Sequence, residues 1–204
     1  MIFAIAAGWL AIHCKVVANL MKVLIGLQCA VTLFASYVLI IEARLPVALG
    51  KVTAQEFVEA RIPFAKVAAE INASAPSGKP YRVALYDEVF GYFLDTDYIW
   101  ANPGHGKLIN YEGVGTGIEF GDELRRLSVD AVYLNFAFTE AKARDRWINA
   151  THTQPYTNTE RDSMASNLDL KWRYLLAEAI RSGELVPAKE FSNGVLFTVK
   201  PRED

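Results

Sequence analysis

The stretch VLIGLQCAVTLFASYVLII, residues 23–41, divides this chain of 204 residues into two parts of different character. Its nineteen residues include no charged side chain. A helix rises about 1.5 Å per residue, so a helix of this length crosses a hydrocarbon core of about 30 Å. The sequence therefore predicts a transmembrane helix at 23–41, with a water-soluble domain after it.

A second apolar stretch, MIFAIAAGWLAIHC, precedes this span at residues 1–14. It is too short for a comfortable span. It also has no basic residue before Lys15, so it lacks the basic start of a secretory signal peptide. A truncated span or a re-entrant stub is therefore favoured over the alternative of a signal peptide. We interpret the membrane segment, residues 1–41, as this partial apolar helix, a turn at 15–22 and the transmembrane helix. The partial helix is expected to be a broken end of a larger membrane region.

The basic residues around the span bear on its orientation. Lys15 and Lys22 flank the predicted turn, and the positive-inside rule places such residues in the cytoplasm. Arg44 and Lys51 on the far side weaken this prediction. The pattern favours a location in the cytoplasmic (inner) membrane, with membrane lipid as a partner and the soluble domain facing the external or periplasmic side.

The composition argues against several kinds of binding site and catalytic group in the soluble part. A formal net charge of −2 gives no bulk attraction to nucleic acid, so no nucleic-acid partner is expected. Cys14 and Cys29 both lie in the membrane segment, which excludes a thiolate nucleophile and a cysteine-ligated zinc from the soluble part. His13, His105 and His152 have no paired spacing, so neither a metal site nor a cofactor is expected.

Helix and strand patterns alternate in the soluble domain, residues 54–204, which follows an interfacial connector at 42–53. Helical spacing of apolar residues predicts helices that begin at Pro63 and near Phe120, and a third helix over residues 158–182. Short apolar runs predict buried strands at 81–87, 98–100 and 131–136, and LVPAKEF, SNG and VLFTVK predict a C-terminal β-hairpin. The fold class is therefore α/β, a three-layer α/β sandwich with a mostly parallel sheet.

Two acidic residues, Asp87 and Glu88, directly follow the first predicted strand. In open α/β sheets, ligands bind at the carboxyl ends of strands, so these residues are candidates for a ligand or acceptor surface. The alternative is that Asp87 caps the following short helix and Glu88 lies at its positive end. His105, in the loop NPGHG, is either a general base or a structural histidine. A small hydrolase that uses all three is the least favoured hypothesis.

The aromatic run GYFLDTDYIW, residues 91–100, is a second candidate surface. Tyr92, Tyr98 and Trp100 would stack on sugar rings or lie at a membrane interface, or they would pack in the core as ordinary strand residues. The glycine cluster GVGTG, residues 113–117, lacks the Lys-Ser/Thr pair of a phosphate-binding loop, which argues against phosphate binding there.

The order of several short motifs resembles one family. They are IPF at 62–64, IN at 71–72, VALYDE at 83–88, GYFLD at 91–95 and VYLN at 132–135. Together with the span before them and the hairpin after them, they resemble the last transmembrane helix and soluble C-terminal domain of bacterial multi-spanning C-type-fold glycosyltransferases of the dolichyl-phosphate-mannose protein mannosyltransferase type.

This resemblance implies a lipid-linked sugar donor and an acceptor outside the cytoplasmic membrane. In that family, the catalytic acidic residue lies in the first external loop, which this sequence does not contain. The resemblance therefore predicts a fragment without a catalytic residue of its own, a membrane-tethered C-terminal domain that recognises the acceptor or stabilises the enzyme. The alternative is an independent membrane-anchored binding or interaction domain.

Overall fold

The computed structural model of the chain describes residues 15–76 and 78–202. The partial helix predicted at 1–14 therefore lies outside the described residues. The chain forms two compact units, Met1–Ala60 and Arg61–Asp204.

The first unit is dominated by one long apolar helix. Helix α1, Lys15–Ser36, continues into a π-helical segment, Tyr37–Glu42, and then into helix α2, Ala43–Ala48. None of the α1 side chains is buried. The helix has a mean hydropathy of 1.8 in its most apolar window, and it is long enough to cross a membrane. By length and composition, α1 is a candidate membrane-spanning helix.

The turn predicted at 15–22 is wrong, because these residues form the first two turns of α1. The sequence KVVANLMK contains no Gly or Pro, and its Lys, Ala, Leu and Met residues are good helix formers. The connector at 42–53 is also more regular than predicted, since α2 occupies half of it. Helix α3, Ala54–Arg61, follows the turn after α2.

The second unit is built on a mixed sheet of five strands. The strands are β1, Arg82–Tyr86; β2, Asp97–Trp100; β3, Ala131–Asn135; β4, Leu185–Phe191; and β5, Gly194–Val199. Their order is β2-β1-β3-β5-β4. Strands β1, β2 and β3 are parallel, whereas β5 pairs antiparallel with both β3 and β4. The predicted parallel strands and C-terminal hairpin are both present.

Helices cover both faces of this sheet. Helix α4, Phe64–Ser74, packs on one face through Phe64, Val67, Ala68 and Ile71. The other face is covered by α5, Gly117–Arg126; α6, Ala141–His152; and α8, Leu168–Arg181. Strands β1 and β3 are buried on both faces, which explains their continuous apolar sequences. The predicted three-layer α/β sandwich is confirmed.

The helices on the second face differ from the sequence prediction in two respects. The helix predicted over 158–182 is two helices, α7, Asn158–Ala165, and α8. The break occurs because the Asn167 side chain accepts a hydrogen bond from the Asp169 N–H and so begins a new helix. Helix α6 was not predicted, because only Trp147, Ala150 and Thr151 of its twelve residues are buried.

Candidate functional site

The carboxyl ends of β1, β2 and β3 meet at one edge of the sheet, and the segments that follow them enclose a shallow pocket of about 190 Å³. The pocket contains four of the six residues proposed from the sequence. Its lining residues are Asp87, Glu88, Val89, Trp100, Asn102, His105 and Phe138. This arrangement is consistent with the prediction that a ligand would bind at this edge of the sheet.

Asp87 is held by side chains from two other parts of the chain. Its backbone N–H donates to Asn102 Oδ1 at 2.8 Å, and Asn102 Nδ2 donates in return to Asp87 Oδ1 at 2.8 Å. Arg173 Nη2 donates to Asp87 Oδ2 at 2.6 Å in an ion pair of which both side chains are largely buried. Asp87 has a positive φ of 52°, which aspartate tolerates better than most residues.

The interpretation of Asp87 as a helix cap is therefore wrong. The following 3₁₀ helix, Gly91–Phe93, begins after Phe90 and has no side-chain cap. Both carboxylate oxygens of Asp87 are instead occupied by Asn102 and Arg173.

Arg173 reaches this edge from α8 and is supported on its other side. Its guanidinium carbon lies 4.5 Å from the centroid of the Trp172 ring, and its Nη1 donates to Thr139 Oγ1 at 3.2 Å. Trp172 in turn stacks on Tyr86, the last residue of β1, with ring centroids 4.9 Å apart. A continuous set of contacts thus joins the core to the pocket.

Glu88 is the most enclosed polar group of the pocket, with 4% of its surface exposed. Glu88 Oε1 accepts hydrogen bonds from the backbone N–H groups of Val89 and Phe90, each at 2.9 Å. Asn135 Nδ2 donates to Glu88 Oε2 at 2.8 Å. Burial raises the pKa of the Glu88 carboxyl above its ordinary value of 4.5, although these three hydrogen bonds oppose the increase.

A pH-dependent stability follows from this raised pKa. The folded protein binds the Glu88 proton more tightly than the unfolded chain does, so this contribution to stability is present at low pH. It is lost as the pH rises from below 4.5 through the folded-state pKa. Urea unfolding at a series of pH values measures this decrease in unfolding free energy. The part of it that Glu88 causes should be absent in the Glu88→Gln variant. An unchanged pH profile in the variant would contradict the assignment to Glu88.

The Tyr133 side chain lies in the core on the same face of β3 as Asn135. Its hydroxyl is buried and has no hydrogen-bond partner among the residues that the structure describes. Burial and the charge of Glu88 both raise the pKa of this hydroxyl. The position of Tyr133 also explains why residue 194 of β5 is a glycine. A Cβ there would overlap the tyrosine hydroxyl and lie 2.6 Å from the Leu134 carbonyl oxygen.

His105 is exposed and lines the pocket from the loop after β2. Its backbone N–H donates to the Asn102 carbonyl at 3.2 Å. In the described parts of the chain, no hydrogen bond joins its imidazole to Asp87 or Glu88, and both carboxylates are occupied by other donors. The three residues share a pocket, but the direct hydrogen bonds of an acid–base set are not formed among them.

The aromatic residues of the run 91–100 have different environments. Trp100 is 44% exposed and lines the pocket, whereas Tyr98 is half-buried and packs with the core on the α4 face. Tyr92 is 63% exposed but packs beside Phe93, with ring centroids 4.7 Å apart, and does not line the pocket. The Trp100 ring makes an edge contact with Tyr98, with ring centroids 5.6 Å apart. Of the three aromatic candidates, only Trp100 lines this pocket.

The glycine-rich loop before α5 is occupied by its own side-chain contacts. The Gly115 N–H donates to Glu119 Oε2 at 2.8 Å, and the Gly113 N–H donates to Asn110 Oδ1 at 3.1 Å. Thr116 and Glu119 form a capping box at the start of α5. These amides are used in the loop itself, in agreement with the prediction against a phosphate site.

Four further residues line or support the pocket and were not predicted from the sequence: Asn102, Asn135, Phe138 and Arg173. Asn102 could have been found, because it opens the NPGHG loop directly after a predicted strand. Arg173 lies 86 residues from its partner Asp87, and no spacing rule connects the two. Phe138 is 79% exposed and lies in the loop after β3.

Comparisons of the chain with protein-family models, with curated proteins and with solved structures find no match in any of the three. Within residues 15–76 and 78–202, no group of three or more His, Cys, Asp or Glu side chains could hold a metal ion. The fold and the pocket therefore define this protein as an α/β domain with a candidate binding site at the carboxyl edge of its sheet.

Proposed function

We propose that the chain is a membrane-tethered, non-catalytic domain of a glycosyltransferase that uses a lipid-linked sugar, and that its pocket recognises the sugar-bearing acceptor. The observation that carries this proposal is the exposed Trp100 ring beside the polar groups of Asp87, Asn102 and His105. A flat aromatic face next to hydrogen-bonding groups suits a sugar, which presents C–H surfaces and hydroxyls together.

The hydrogen bonds of the pocket favour binding over chemistry. Asp87 is held by Asn102 and Arg173, and Glu88 is held by two backbone amides and Asn135. A general base must be free to accept a proton from its substrate, and these carboxylates are already engaged. The pocket therefore supplies a binding surface, and the acidic residue for glycosyl transfer would come from a separate membrane region.

The membrane part of the proposal rests on α1, which is long and apolar enough to span a bilayer. The lipid-linked donor, the inner membrane and the external orientation come from the resemblance and from Lys15 and Lys22, which lie at the N-terminal end of α1 and not in the turn predicted there. They are parts of the same proposal.

Substitution of Trp100 tests sugar recognition in the full chain held in detergent micelles. Saturation-transfer NMR against a panel of mono- and oligosaccharides is expected to find a bound sugar. The Trp100→Ala variant should bind it about fivefold more weakly, because an aromatic contact contributes about 1 kcal/mol. Tyr92→Ala is the matched control, since Tyr92 is an exposed aromatic residue outside the pocket, and it should bind as the natural chain does.

Three outcomes would contradict the proposal. The first is that no sugar binds, and the second is that Trp100→Ala and Tyr92→Ala bind equally well. The third is efficient glycosyl transfer by the purified chain alone, which would show that it is catalytic. Trp100-dependent capture of a protein partner without bound sugar would instead support the independent interaction domain.

A further inference from the structure

A second cavity lies between α6 and the β4–β5 hairpin. It has a volume of about 130 Å³ and shares no lining residue with the pocket at the sheet edge. Its floor is formed by apolar side chains from β5, α6, α8 and the end of β3. They are Phe136, Trp147, Ile148, Ile180, Val195 and Phe197.

The polar groups within this floor are already satisfied. Trp147 Nε1 donates to the Arg173 carbonyl at 2.9 Å, and Thr151 Oγ1 donates to the Ile148 carbonyl at 2.7 Å. These two donors are therefore already used, and the six side chains of the floor offer a ligand apolar contact. An apolar cavity of about 150 Å³ in another protein stays dry and binds benzene, so this one has room for a benzene-sized ring or a branched aliphatic group.

The mouth of the cavity carries three ionisable side chains, Arg144, His152 and Glu190. Arg144 rests its guanidinium 5.2 Å from the Phe136 ring centroid. Among the described residues, neither Arg144 nor Glu190 has an ion-pair partner within 4.0 Å, and the two do not pair with each other.

The neighbouring Lys189 differs in this respect, because its ammonium group pairs with Glu70. A free cation and a free anion thus lie at the opening of an apolar cavity. An uncharged apolar ligand would gain nothing from either charge, and a simple anion would meet the repulsion of Glu190.

We propose that this cavity binds a hydrophobic α-amino acid. The ligand carboxylate accepts hydrogen bonds from the Arg144 guanidinium, in the fork geometry that arginine offers to carboxylates. The ligand ammonium group donates to the Glu190 carboxylate, and the side chain fills the apolar floor. This inference is independent of the proposed function, because it uses a different cavity and different residues.

Calorimetric titration of the full chain in detergent micelles tests the proposal with three matched probes. L-Leucine has the complete charge pattern, 4-methylpentanoate lacks its ammonium group, and 3-methylbutylamine lacks its carboxylate. L-Leucine is expected to bind, and each of the other two should bind at least tenfold more weakly.

Two substitutions at the mouth separate the roles of the two charges. Arg144→Gln and Glu190→Gln should each weaken L-leucine binding at least tenfold. Glu190→Gln should also improve 4-methylpentanoate binding, since the repulsion is removed. Lys142→Gln is the matched control, because Lys142 is exposed on α6 but does not line the cavity, and it should leave binding unchanged.

The proposal is overturned if L-leucine does not bind or if the three probes bind equally well. It is also overturned if Arg144→Gln and Glu190→Gln bind L-leucine as the natural chain does. Both residues are exposed, so far-UV circular dichroism of the two variants should match the natural chain and tie any loss to the lost charge.

Discussion

The Gly117→Ala variant is expected to lose about 1–3 kcal/mol of unfolding free energy in the unit Arg61–Asp204. Gly117 begins α5 where that helix meets α8. A Cβ at this position would lie 2.7 Å from the Glu178 carbonyl oxygen and closer still to the backbone nitrogen of Ala179. Because these are backbone atoms, no side chain can rotate away, and the two helices would have to separate. Urea unfolding followed by tryptophan fluorescence measures the loss.

Gly115→Ala is the matched control for this experiment. Its Cβ would lie 3.6 Å from Glu119 Oε2, which is an ordinary contact, and Gly115 does not have a positive φ. Its backbone N–H would keep the hydrogen bond to Glu119. The control should unfold within about 0.5 kcal/mol of the natural chain. Equal stabilities of the two variants would show that α5 and α8 are not in the close contact described.

The parts of the fold that could be predicted are those encoded by local patterns. The runs around β1 and β3 are apolar because both faces of these strands are buried, and the hairpin is marked by its Ser-Asn-Gly turn. Helix α6 could not be predicted, because its buried face is only three residues wide and its other residues are polar. The break before α8 depends on one Asn167 side chain within a continuous helical pattern.

Only residues at or soon after the strand ends could be predicted as parts of the candidate site. Asp87, Glu88, Trp100 and His105 line one pocket because each lies at or soon after the carboxyl end of a parallel strand. Strand alternation could not separate Tyr98 from Trp100, because residues two apart lie on the same face of a strand, and their rings are in contact. Arg173 joins the site through the packing of α8, which is a tertiary contact that no local pattern encodes.

Replacing Trp172 with alanine is expected to have the largest effect on stability, a loss of about 3–5 kcal/mol. Trp172 is 2% exposed, and its ring stacks on Tyr86 on one side of the core. Its removal would leave a cavity under β1 and would also take away the surface on which the Arg173 guanidinium rests. Thermal and urea unfolding of the full chain in detergent measure this loss.

Leu170→Ala separates the effect of Trp172 from a general weakening of α8. Leu170 is on the same helix but 40% exposed, so its substitution should cost about 1 kcal/mol of unfolding free energy or less.

The Trp172 variant should also weaken the Asp87–Arg173 ion pair, because the guanidinium loses its support. Sugar binding at the Trp100 pocket should then fall in Trp172→Ala under conditions where the variant is still folded, and it should persist in Leu170→Ala. If a folded Trp172→Ala protein binds sugar as the natural chain does, the pocket does not depend on Trp172 to position Arg173.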